Sequence, residues 1–257
     1  MTILDGIILG VREDFQARRT SLSHLQEMAQ EIGPTRDALA ALRSNELRVI
    51  AEVKRTSPSK GALAAIADPA GLALKYEAAG ASVVSVLTEG RRFGGSLEDL
   101  AAVRQQISLP VLRKDFMVDE YQFYEARAFG ADMVLLIVAA LSDSQLIEFY
   151  HLATNLEMSS LVEIHTFSEL ERAMAISPEI VGVNSRDLMD LSIDQQVFAQ
   201  LLPLIPAQTV KVAESGISTR GDVRFAQGCG ANALLIGEAL VRGGDPASTM
   251  RALLADE

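Results

Sequence analysis

Ile50-Ala51-Glu52-Val53-Lys54-Arg55-Thr56-Ser57-Pro58-Ser59 reads as a short buried strand that ends in charge and then turns. Successive side chains of a strand face opposite ways, so Ile50, Glu52 and Lys54 share one face and Ala51 and Val53 the other. A Glu and a Lys together at the exit of an apolar strand do nothing for a core. Pro58, between Ser57 and Ser59, stops the strand and turns the chain. Taken alone, the stretch also suits a surface ion pair at a strand end. Its recurrence along the chain decides between the two.

Outward from this stretch, apolar runs alternate with helical segments to the C-terminus. Strands are expected at 48–53, 82–87, 111–113, 132–138, 158–163, 180–183, 210–213 and 233–236. Helices are expected at 68–79, 96–106, 119–129, 142–154, 166–176, 194–202, 218–227 and 245–254. Asp68-Pro69 is an N-cap followed by proline at the first helical position. The strands are continuous apolar runs, as in parallel strands buried on both faces. Gly80-Ala81, Gly130-Ala131 and Gly230-Ala231 mark three helix-to-strand junctions, where glycine ends the helix in the left-handed conformation. Eight such units close into a single (β/α)8 TIM barrel of the α/β class. A doubly wound open sheet is the alternative, but no Gly-x-Gly-x-x-Gly follows the first strand.

The expected domain is 1–257, with 1–47 an N-terminal helical extension and 48–257 the barrel. In the extension Ile3, Leu4, Ile7, Ile8 and Val11, then Leu22, Leu25, Met28 and Ala29, recur at helical spacing. Gly33-Pro34 interrupts the pattern and Asp37 to Leu42 resumes it. No convergent polar set appears there, so a cover for the barrel or an oligomer contact is expected.

A net charge of −11 argues against nucleic acid or an anionic membrane surface as partner. The apolar run from Met133 to Leu141 is too short to span a bilayer, and Met1-Thr2-Ile3-Leu4 offers no basic signal-peptide start. With the single Cys229 there is no disulfide framework, and a cytoplasmic location is expected. No spacing of His with Asp or Glu suits a metal, so none is expected.

In a barrel of this kind the active site lies at the C-terminal strand ends. There stand Glu52 and Lys54; Arg113, Lys114 and Asp115; Glu163; Asn184, Ser185 and Arg186; Glu214, Ser215 and Gly216; and Gly237 and Glu238. The opposite rim carries nothing comparable. Charges gathered around a barrel mouth shift one another's pKa values, which makes an acid–base site the expectation. Ser215-Gly216-Ile217 and Ile236-Gly237-Glu238 suit phosphate, because glycine lets backbone N–H groups approach an anion. The carboxylate of Glu238 must then point away. His165 is read as support for Glu163, Cys229 as a small buried side chain, and Phe93 as packing either on a substrate ring or on the barrel wall.

The motifs at 50–59, Leu112-Arg113-Lys114-Asp115-Phe116, 135–141, Leu161-Val162-Glu163-Ile164-His165, 182–188 and 212–217 resemble indole-3-glycerol phosphate synthases of tryptophan biosynthesis, over nearly the whole chain. Pro34-Thr35-Arg36-Asp37 resembles that family's approach to its first strand. The resemblance implies a cofactor-free ring closure, decarboxylation and dehydration of 1-(o-carboxyphenylamino)-1-deoxyribulose 5-phosphate. It implies catalytic roles for Glu52, Lys54, Lys114, Glu163, Asn184 and Ser215. Ser57, Phe93, Arg186 and Glu214 would bind substrate, and Gly216, Gly237 and Glu238 would hold its phosphate. Either Glu52 or Glu163 would serve as the base in dehydration. The partner is then a small phosphorylated molecule, and the chain a monomer or weak homo-oligomer. A phosphate-binding barrel like phosphoribosylanthranilate isomerase is an alternative. That chemistry is expected to need a Cys and an Asp as acid and base, and Cys229 lies before the eighth strand, on the wrong rim. A barrel without chemistry is the other, and the full set of charged tips speaks against it.

Overall fold

Strand β1 (Arg48–Val53) is buried at five of its six positions because it is paired on both sides. It runs parallel to β2 (Val83–Leu87) on one edge and to β8 (Ala233–Ile236) on the other. That second pairing closes the sheet and excludes the open doubly wound alternative. Between them lie β3 (Val111–Lys114), β4 (Met133–Ile137), β5 (Ser159–Ile164), β6 (Ile180–Asn184) and β7 (Val210–Glu214), each parallel to its neighbours. The computed structural model describes residues 2–255. Met1, Asp256 and Glu257 of the expected domain lie outside the described residues.

The helices between strands begin and end as the local sequence dictates. The side chain of Asp68 caps α4 (Pro69–Ala78), Ser96 caps α5 (Leu97–Gln106), Ser142 caps α7 (Asp143–Asn155) and Thr166 caps α8 (Phe167–Met174). At the three Gly-Ala junctions the glycines adopt φ of 93°, 89° and 100°. Each alanine N–H donates to the carbonyl five residues back: Ala81 to Tyr76, Ala131 to Ala126 and Ala231 to Ala226. That is the Schellman closure, in which glycine carries the left-handed turn without a Cβ clash.

The extension forms α1 (Ile3–Ala17), α2 (Leu22–Ile32) and α3 (Ala38–Leu42). It covers one side of the barrel. Phe15 of α1 stacks on Tyr121 of α6 (Tyr121–Ala128), with ring centroids 6.1 Å apart. The linker then crosses the rim where the strands begin. Arg36 donates to the carbonyls of Leu109 (2.7 Å) and Arg104 (3.0 Å), and its N–H donates to Asp132 at 2.8 Å. The opposite rim therefore does carry charge, contrary to expectation. Asp132, Arg36 and Arg104 there fasten the extension to the barrel floor.

Arg113 also departs from expectation. It neighbours Lys114 on one strand, so the two face opposite ways. Lys114 faces the mouth, whereas Arg113 is fully buried in the helix layer. There it donates to Asp115 (3.1 Å), Glu125 (2.9 Å), Thr88 (3.1 Å) and the Gln122 carbonyl (2.9 Å). Arg18, just past α1, closes on the same Glu125 with two bonds of 2.7 and 2.9 Å. Removing one partner of a buried pair leaves an uncompensated charge, which costs about 3–5 kcal/mol. Arg113→Ala is expected to lower Tm by about 10 °C, measured by thermal unfolding.

Candidate active site

The strand ends enclose a cavity of about 650 Å³. Every expected site residue except Ser57 lines it: Glu52, Lys54, Phe93, Lys114, Glu163, Asn184, Arg186, Glu214, Ser215, Gly216, Gly237 and Glu238. Ser57 instead turns into a two-residue hairpin, Thr56–Ser57 against Gly61–Ala62, with its hydroxyl buried and unpartnered. The alternation that directs Arg113 away brings the others in. Register sets Glu163 beside Gly182, and Asn184 beside Glu214. Gly182 is required there, because a Cβ would overlap Glu214 Oε1. Gly237 leaves room in the same way for Glu52, whose Oε1 would lie 2.5 Å from a Cβ at that position.

Two cation–carboxylate groups face the cavity. Lys54 Nζ lies 2.7 Å from Glu52 Oε1. Lys114 Nζ donates to Glu163 Oε2 at 2.8 Å and lies 3.3 Å from Glu214 Oε2. Burial by itself would lower the Lys114 pKa, but Glu163, Glu214 and Glu52 outweigh it and hold the ammonium charged. Glu163 is opposed by burial, yet Lys114 and His165 pull its carboxyl far below the usual range. Burial pushes Glu214 up to about 8; the negative charge of Glu163 adds to this and Lys114 opposes it. Near neutral pH the cluster therefore holds one ammonium, one carboxylate and one protonated carboxyl. Glu214 Oε1 is buried with no hydrogen-bond partner.

That state has a consequence for stability. Glu214 binds its proton more tightly folded (about 8) than at its ordinary value of 4.5. Between those values the native state holds the extra proton, so stability falls as pH rises through the window. Gln at this position is isosteric with the protonated form and does not titrate. The Tm of Glu214→Gln relative to the parent is expected to climb from pH 4.5 to pH 8 and level off above it, as read by thermal melts across that range.

Leu87, Phe93, Phe116, Leu135, Ile137 and Leu235 add apolar lining, with the Phe93 and Phe116 ring centroids 6.3 Å apart. Phe93 is thus both on the wall and against the cavity. Its loop is held by Glu89, whose buried carboxylate accepts the N–H groups of Arg91, Arg92 and Phe93 at 3.1, 2.7 and 3.0 Å. After β7 the chain turns at Ser215 (φ 67°) and Gly216 (φ 73°). Ser185 Oγ donates to the Ser215 carbonyl at 3.1 Å, and Gln195 Nε2 to that of Gly216 at 2.7 Å. Arg186 donates to Ser59 Oγ at 2.9 Å, which ties the loop after β6 to the loop after β1.

Lys60 and Arg242 line the cavity without having been anticipated. Lys60 Nζ meets Glu238 at 2.6 Å, and Arg242 lies 3.4 Å from the same carboxylate. Both cations stand where no periodic pattern reports, one in a hairpin turn and one at the end of α11 (Glu238–Arg242). The Glu238 carboxylate, itself part of the cavity lining, pairs with both of them. Cys229 is half-buried at the end of α10 (Arg220–Gly228), not buried as expected. Among the described residues no group of three His, Cys, Asp or Glu side chains is placed to hold a metal ion.

By sequence the chain is similar to indole-3-glycerol phosphate synthases. The family model "Indole-3-glycerol phosphate synthase" matches residues 4–253. The protein of that name from Paenarthrobacter aurescens is 56% identical over 253 residues, covering 96% of this chain and 93% of its own. The one from Kineococcus radiotolerans is 53% identical and covers 99% of this chain and 96% of its own. In shape alone, the crystal structure of a 3-hexulose-6-phosphate synthase matches with a TM-score of 0.64 at 17% identity, over 81% of this chain and 99% of that one. This last likeness shows the barrel and nothing further.

Proposed function

The chain belongs to the indole-3-glycerol phosphate synthase family, and from that premise we propose how its cavity performs the reaction. The substrate is 1-(o-carboxyphenylamino)-1-deoxyribulose 5-phosphate and the product indole-3-glycerol phosphate, in tryptophan biosynthesis. The enzyme is a carbon–carbon lyase of the carboxy-lyase type. The observation that carries the reading is Lys114, charged and flanked by Glu163 and Glu214, in a cavity whose apolar lining suits an aromatic ring.

The ring carbon that bears the carboxylate attacks the C2′ ketone. A C–C bond forms and the carbonyl oxygen takes a proton from Lys114, which is placed to give it. The carboxyl-bearing carbon is now tetrahedral, and the ring nitrogen carries the compensating cation. The C–CO₂ bond breaks, its electron pair returns to the ring, and CO₂ departs. The new hydroxyl then leaves as water with a proton supplied by an acid, and a carboxylate removes the last proton to give the indole. Glu52 and Glu163 are the two carboxylates for these transfers. Lys54 holds the anthranilate carboxylate and assists loss of the hydroxyl. Asn184, Arg186 and the protonated Glu214 orient the chain of the sugar. Ser215, Gly216 and Gly237 receive the phosphate, with Lys60 and Arg242 supplying charge nearby. Ser57 has no part in this scheme, since it lies off the cavity.

The same reading places the protein in the cytoplasm as a monomer or weak homo-oligomer, with neither nucleic acid nor membrane as partner. It is supported by the net charge of −11 and by the absence, among the described residues, of a helix long and apolar enough to cross a membrane. Turnover of the carboxyphenylaminodeoxyribulose phosphate, followed by the rise of indole fluorescence, tests the activity. Product formation that persists in chelator is expected. A folded sample that forms no product would refute the assignment.

A further inference from the structure

We propose that His165 and Glu169 form a positioning dyad that fixes the Glu163 carboxylate toward Lys114. The inference rests on the acid–base reading of Glu163 above and deepens it. His165 does not line the cavity, and its contact with a lining residue is the one to Glu163.

The two oxygens of Glu163 are held differently. Oε2 accepts from Lys114 at 2.8 Å, whereas Oε1 lies 3.4 Å from His165 Nε2, a charge contact in which the buried ring nitrogen makes no hydrogen bond. The imidazole is itself oriented from behind. Its Nδ1 lies 3.0 Å from Glu169 Oε2, and the His165 backbone N–H donates to that same oxygen at 2.8 Å. Glu169 is located in turn by the first turn of α8, where its N–H donates to Thr166 Oγ at 3.2 Å. Rigid secondary structure is thus linked to the carboxylate through one imidazole. Such outer contacts set the orientation of a reacting group where a loop alone leaves it loose.

A helix-capping role does not account for this arrangement. Capping needs only the contact from Glu169 to the His165 backbone, and the ring turned toward Glu163 adds nothing to it. Charge explains the ring. With Glu214 protonated, Lys114 of β3 balances Glu163 of β5, and Glu169 adds a further acidic group on the far side of the ring. An imidazolium between Glu163 and Glu169 supplies a second cation. Burial disfavours that charge, but the two carboxylates overcome it and raise the His165 pKa to about 10.

The test uses the intact enzyme with His165→Gln and Glu169→Gln, which keep amide hydrogen bonding but lose the charges. Both are expected to lower kcat by about ten- to a hundredfold with KM within about threefold of the parent. In His165→Gln the acid limb of the kcat profile is also expected to move up in pH, because Glu163 loses a stabilising cation. Rates within twofold of the parent, or a fall in kcat with the acid limb unmoved, would overturn the dyad. A second measurement needs no turnover and covers a variant that fails to fold. With three histidines in the chain, the imidazole ¹⁵N resonances of the parent can be assigned. His165 is expected to remain imidazolium well above its ordinary 6.5, and titration near that value would refute the proposal. Glu163→Gln separates the levels. If it turns over like the parent, the acid–base reading falls and the dyad with it. If it is inactive while His165→Gln is normal, the dyad alone falls.

Discussion

Lys114→Ala is expected to lower kcat by roughly 10³-fold or more, with a barrel that still folds. The size follows from the two tasks combined in one ammonium. In the proposed mechanism it donates the proton that turns the ketone oxygen into a hydroxyl, and it balances charge as the oxygen becomes negative in the transition state. Each task alone contributes on the order of 10²–10³ in comparable sites. The fold survives because the carboxyls left behind do not both carry charge. Glu214 is already protonated up to about 8, and Glu163 keeps His165 at 3.4 Å. Removing Lys114 raises the Glu163 pKa and costs some stability without exposing two bare anions to each other. Steady-state turnover beside circular dichroism checks both halves of this expectation. Near-normal turnover in Lys114→Ala would remove the role given to this residue, and an unfolded variant would show that the ammonium holds the barrel together.

The barrel was legible because its signals are repetitive. Parallel strands buried on both faces must be continuous apolar runs, and each helix needs a cap and a stop, so eight copies of one pattern appear in order. The site was legible at the strand ends, where Glu52, Lys54, Lys114, Glu163 and Glu214 have no packing role to explain them. What escaped did so for identifiable reasons. The five-residue α11 starts at Gly237 without a side-chain cap, so no start signal marks it. Lys60 sits in a hairpin held by backbone bonds, and its side chain reaches Glu238 just after the neighbouring strand β8, a residue 178 positions away in sequence. Arg113 was misplaced although alternation alone separates it from Lys114. Its partner Glu125 lies on a helix and Arg18 on the extension, and only the folded chain brings the three together. Ser57 follows the charged tip closely in sequence, while its hydroxyl is buried in the hairpin, outside the cavity lining.

Glu163→Gln is expected to lower kcat by about 10²–10⁴-fold with KM changed little. The substitution keeps the shape and removes the charge. It also breaks the symmetry of the carboxylate, since glutamine has one acceptor oxygen and one donor amide while Lys114 donates to one oxygen at 2.8 Å and His165 Nε2 stands 3.4 Å from the other. If the oxygen stays on Lys114 at Oε2, the amide faces the imidazolium, donor against donor. If it flips, the amide faces the ammonium that delivers the proton. Either orientation disturbs Lys114 as well as removing a base, so the loss should fall on the chemical step. In the proposed mechanism substrate binding rests elsewhere, on Lys54, the apolar lining and the backbone at Gly216 and Gly237, and these are untouched. Steady-state kinetics with single-turnover rates separates the two effects. A rise mainly in KM would reassign Glu163 to holding the substrate and leave Glu52, beside Lys54 at 2.7 Å, as the base for the final proton.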